Sequence, residues 1–112
     1  MSLRSLPLLA SICFIHLSHP LFTQQPATVL GRITDASNEQ PVEFVTVFVK
    51  DGQTAVRSDE NGNFAIQVPS GQRLTLAFRR VAYKESSADI LPLEPNARFV
   101  LDVALAPLQS NL

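Results

Sequence analysis

A chain of 112 residues has room for one domain and no more. Its 9 basic and 10 acidic residues leave a formal charge of −1, too near balance to draw it to nucleic acid or anionic lipid. Cys13, His16 and His19 are its sole thiol and imidazoles, so beyond Pro20 there is no imidazole or thiolate for a zinc peptidase or for Cys–His or Ser–His catalysis.

The first element is a targeting segment. Arg4 puts one positive charge ahead of an uncharged apolar run over residues 6–17 (LPLLASICFIHL). About a dozen residues suit the core of a signal peptide and fall short of the ~20 that span a bilayer. Residues 18–25 are polar and contain Pro20, and cleavage is placed there, which gives a signal peptide over 1–24 and a mature domain over 25–112. Ile12 before Cys13 and the apolar residues after it argue against a lipid-bearing cysteine. The mature chain is expected to carry no transmembrane segment.

From Thr28 the pattern becomes short β-rich runs separated by turn chemistry. Residues 28–34 form the first, closed by turn formers over 35–41. Residues 43–50 (EFVTVFVK) are the strongest strand signal, dense in β-branched and aromatic side chains. Asp51-Gly52 is read as a tight turn with positive φ at the glycine, before a short return strand over 54–58. Asp59-Glu-Asn-Gly62 reverses the chain again: the aspartate caps, the Asn-Gly pair takes positive φ, and Phe64 enters the core. Asp59, Asn61 and Asn63 stand at alternating positions like calcium ligands, but Gly62 is misplaced for such a loop and the turn reading is preferred.

Phe64, Ile66 and Val68 then alternate with polar or small residues, and residues 73–80 put Leu74, Leu76 and Phe78 on one face. A weaker strand over 83–90, a proline-stiffened connection over 91–95 and a last run over 98–105, with Phe99, Leu101, Val103 and Leu105 on one face, complete about seven strands. No stretch carries a helical period. The fold expected is all-β, a seven-stranded antiparallel Greek-key β-sandwich, its core made by Val45, Val47, Val49, Phe64, Leu76, Phe78, Phe99 and Leu101. Such a domain folds without disulfides.

Five landmarks in order, Gly31-Arg-Ile-Thr-Asp35, the Pro-led strand from Gln40 to Val47, Ser58-Asp-Glu-Asn-Gly-Asn-Phe64, Val68-Pro-Ser-Gly71 and Ala82-Tyr-Lys84, resemble the carboxypeptidase regulatory-like, or transthyretin-like, β-sandwich domain. The resemblance covers residues 28–107. Phe44 and Ala82 stand where many members of that family have glycine. Such domains often precede the plug and barrel of TonB-dependent outer-membrane receptors, so the resemblance implies an exported location: periplasmic, outer-membrane associated or extracellular. It implies no peptidase. The hydroxyisourate hydrolase of the wider transthyretin-like group uses histidine, which the mature chain lacks.

The reading that follows is a non-catalytic module with no cofactor or metal, acting through an envelope protein partner. If Val45, Val47 and Val49 face the core, Phe44 and Phe48 point outward beside Thr46 and mark a docking patch. Tyr83 is the aromatic exposed enough to contact a partner or, in the alternative reading, a small ligand or carbohydrate. Arg79, Arg80 and Lys84 gather near one sheet end and, with Glu85 and Asp89, are read as a solvated face.

Overall fold

Alternation of apolar and polar side chains produces eight strands in the computed structural model, which describes residues 24–109, and no helix among them. All but the last residue of the expected signal segment lies outside the described residues. The strands are β1 (Ala27–Asp35), β2 (Thr46–Val49), β3 (Ala55–Arg57), β4 (Asn63–Val68), β5 (Leu74–Arg79), β6 (Ser86–Ile90), β7 (Arg98–Val100) and β8 (Val103–Leu105).

They form two sheets. In the first, β1 lies between antiparallel β4 on one side and β7 and β8, both parallel to it, on the other. The second runs β3-β2-β5-β6, antiparallel throughout. The period-2 pattern is clearest in β4, where Phe64, Ile66 and Val68 are buried and the residues between them exposed. Val29 and Ile33 of the first sheet and Val45, Val47, Leu76 and Phe78 of the second are fully buried between the layers. Phe64 and Phe78 meet edge to face across them, ring centroids 5.7 Å apart, a geometry worth about 1 kcal/mol beyond the area it buries.

The all-β sandwich is the architecture the strand pattern predicts, with differences in detail that have physical causes. The last run is two strands rather than one, and it joins in parallel because the chain returns from the opposite sheet, a crossover that a hairpin cannot supply. At the break, Leu101 donates its amide to Leu30 O (2.8 Å) and the Asp102 carboxylate takes the Arg32 amide (3.0 Å). Phe99 is therefore not a core residue: opposite Val29 on the sheet's edge strand, it is 39% exposed, and Leu101 is only half-buried. Gly31 is required here, since a Cβ on it would stand 1.9 Å from the Leu101 carbonyl oxygen.

The β2–β3 turn also differs. Asp51, not Gly52, takes the left-handed conformation (φ 64°), which aspartate tolerates better than most residues. The β3–β4 turn follows its reading, except that of the Asn-Gly pair Gly62 alone takes positive φ. Asp59 Oδ1 accepts the amides of Asn61 and Asn63, both at 2.9 Å, and Gly62 has φ 79°. The Asp59 carboxylate is thus occupied by backbone amides, as a capped turn requires.

Candidate docking surface

The strongest strand signal, residues 43–50, becomes regular only from Thr46 onward. Ahead of it, the Phe44 amide donates to Ser58 O (3.0 Å) and the Ser58 amide donates to Val45 O (2.9 Å). Two residues therefore oppose one, and Phe44, the first of them, has φ 61°. This is a β-bulge whose first position glycine normally fills. The buried Ser58 hydroxyl secures it, donating to Val42 O and accepting from the Val45 amide, each at 2.9 Å.

The bulge turns Phe44 out of the sheet, where it is 54% exposed. A non-glycine residue in the left-handed region costs about 1–2 kcal/mol, and an exposed phenyl ring recovers little of that by burial. Ala82 occupies the same region, with φ 76°, and its neighbour Val81 is 80% exposed. Both positions at which the resemblance expects glycine are therefore left-handed, and neither is glycine.

Phe48 does lie on the outer face of the second sheet, opposite Ala55 and Ala77, while Val45, Val47 and Val49 are buried. It is half-buried rather than open, because the Arg79 guanidinium sits over its ring at 4.9 Å from the centroid. Arg79 also pairs with Glu85 at 3.2 Å. The next cross-strand row sets Arg57 and Arg79 on either side of Thr46. Arg80 Nε donates to the Glu43 carbonyl (2.7 Å), which fixes that side chain beside the bulge. Phe44, Thr46, Arg57, Arg79, Arg80 and Val81 together line an open concavity of about 320 Å³.

Tyr83 does not join this surface. It is half-buried, its amide donates to the Arg80 carbonyl (3.1 Å), and its hydroxyl donates to Asp35 Oδ2 at 2.7 Å. Bonds from the Ser37 hydroxyl and then from Tyr83 hold the Asp35 carboxyl below its ordinary range, and the same Asp35 bond pushes the Tyr83 phenol up. Asp35 and Tyr83 belong to two of the five landmarks, so the motifs meet in one hydrogen bond that ties the end of β1 to the β5–β6 turn.

Arg57 and Val81 escape a reading of the sequence, because nothing local distinguishes an arginine in a short return strand or a valine after two arginines. Arg79 and Arg80, read as a solvated face, line the concavity with Phe44. A second, larger hollow of about 660 Å³ lies between the β2–β3 turn and the start of β5, walled by Lys50, Asp51, Arg73 and Asp89 among others. Among the described residues no group of three or more His, Cys, Asp or Glu side chains is placed to hold a metal ion, and no helix is long and apolar enough to cross a membrane.

Comparison with known proteins bears on this geometry. The chain is 31% identical over 88 residues to the TonB-dependent transporter Oar of Myxococcus xanthus, an alignment covering 74% of this chain and 8% of that one. It thus spans under a tenth of the transporter's length. Among solved structures it resembles hydroxyquinol 1,2-dioxygenase from Pseudomonas putida DLL-E4 (TM-score 0.60, 13% identity, 79% of this chain and 58% of the other). The Bacillus anthracis TIE protein is similar as well (TM-score 0.57, 15% identity, 75% and 18%). At such identities the likeness is one of fold. The profile of the CarboxypepD_reg-like domain matches residues 29–106, and the chain belongs to that family.

Proposed function

We propose that this chain is an exported, non-catalytic β-sandwich module that works through protein contacts at the cell envelope. Family membership and the likeness to part of a TonB-dependent transporter support the envelope setting. The apolar, uncharged run over residues 6–17 supports export. The observation that carries the contact reading is Phe44: an exposed phenyl ring held in a conformation that favours glycine, at the mouth of a concavity. Strain retained at a surface residue is characteristic of functional positions. A sugar-binding alternative built on Tyr83 lacks comparable support, since that side chain is engaged with Asp35 and lines neither hollow.

The test compares partners captured from envelope extracts by the wild-type protein and by a Phe44→Ser/Phe48→Ser variant of equal stability. The expected result is the loss of specific partners by the variant. Identical partner lists would remove Phe44 and Phe48 from the function. Mass spectrometry of the exported form is expected to show an N terminus between residues 18 and 25, and an intact Met1 would overturn the export reading.

A further inference from the structure

Resting on the docking reading above, we infer that the Phe44 concavity takes an acidic, extended segment of a partner protein, with an apolar side chain seated between Phe44 and Val81 and carboxylates on the surrounding arginines. Three guanidinium groups border a hollow whose remaining lining is two exposed apolar side chains and a threonine. Glu85 answers one of them, Arg79, and this is the sole ion pair among the described residues. Arg57 and Arg80 have no carboxylate at ion-pair distance there. Arg80 is positioned by a neutral carbonyl, which fixes its direction and leaves its charge uncompensated.

A carboxylate-bearing occupant is thus the chemistry the charges select, because arginine forks match carboxylates in two parallel hydrogen bonds. The cross-strand row fixes the spacing. Arg57 and Arg79 sit one strand to either side of Thr46, so their backbones are roughly 10 Å apart. Acidic side chains two to three residues apart on an extended peptide reach both. The chain's own residues 1–23 contain no Asp or Glu, so that segment cannot supply the carboxylates.

The experiment is selection of random peptides displayed on phage against the purified protein at low salt, followed by measurement of the selected peptides in solution. Enriched peptides are expected to carry two or more carboxylates around an aromatic or aliphatic residue. Their affinity should fall about tenfold or more at high salt, and by a similar factor in Arg57→Glu/Arg80→Glu. Phe44→Gly provides a control that cannot be mistaken for unfolding: its melting temperature should rise while peptide affinity is lost. No enrichment, enrichment of neutral or basic peptides, or acidic peptides that bind the double arginine variant as well as wild type would each overturn the inference. A concentration-dependent dimer dissolved by the same double substitution would give the concavity to a second copy and overturn it too.

The same variants separate this inference from the reading beneath it. Capture of envelope partners that is lost in Phe44→Ser yet unchanged in Arg57→Glu/Arg80→Glu leaves the docking surface standing and removes its acidic occupant. Capture unchanged in both removes the docking surface itself.

Discussion

At the end of β1 the polar side chains are answered one by one. Asp35 takes the Ser37 amide and hydroxyl and the Tyr83 hydroxyl, and in the β3–β4 turn beside it Asp59 takes two backbone amides. On the outer face of the second sheet the opposite holds: Phe44 and Val81 are exposed, and Arg57 and Arg80 meet no carboxylate. Where Phe44 departs from a family landmark, Asp35, Asp59 and Tyr83 keep theirs in the first region. Its residues fix turns and seal the sandwich, so their presence reports a fold and says little about a ligand. The second region contains a residue that its own backbone disfavours. On the reading proposed above, that residue is kept for contact with a partner.

Substitutions should separate the two regions by sign as well as by size. The largest loss is expected from Gly31→Ala, where the new methyl group would collide with the Leu101 carbonyl. Forcing β8 away from β1 should cost about 3 kcal/mol, read as a fall in the denaturant midpoint. Ser58→Ala, on the buried side of the Phe44 bulge, should follow, at about 2 kcal/mol, because it strands the Val45 amide and the Val42 carbonyl. A near-neutral result there would mean that water reaches the bulge.

The Asp35–Tyr83 bond makes the first region sensitive to pH at both ends. The folded-state pKa of Asp35 is lowered from 3.8, so its contribution is present above that value and is lost as pH falls through the lowered one. Tyr83 is raised from 10.0, so its contribution is complete below that value and is lost as pH rises through the raised one. Melting temperatures should decline at both extremes, and Tyr83→Phe should flatten the alkaline decline and weaken the acid one. An alkaline profile identical in the variant would show that Tyr83 does not contribute to it.

Smaller effects, of opposite sign, are expected at the left-handed residues of the second region. Phe44→Gly and Ala82→Gly each remove a left-handed non-glycine residue and should stabilise by about 0.5–1 kcal/mol, the relief of strain being partly offset by the greater freedom of glycine in the unfolded chain. If Phe44→Gly destabilises instead, the ring contributes to the fold and the contrast between the two regions fails at its central residue. Arg57→Glu, on an exposed strand position, should move stability by less than about 0.5 kcal/mol.

The strand pattern, the faces of β4 and β5 and the β3–β4 turn were all legible in the amino-acid order, because each depends on neighbours within a few residues. The same is true of the outward direction of Phe48, which follows once Val47 and Val49 are placed in the core. Phe99 was misjudged for the converse reason. Its side faces the core, but only the sheet order reveals that β7 is an edge where a correctly facing ring stays partly in water. The left-handed turn at Asp51 instead of Gly52 is a local choice that composition alone did not decide.

What the sequence by itself determined is the two-layer β fold, since alternating apolar side chains and well-placed turn formers leave few other ways to bury one face of each strand. The tertiary structure alone decided that Phe44 sits on a bulge, that Arg57, Arg79 and Arg80 converge beside it, and that Asp35 finds Tyr83 48 residues away. These meetings depend on strand order and register across two sheets, and no local pattern of residues encodes which distant strand will lie alongside.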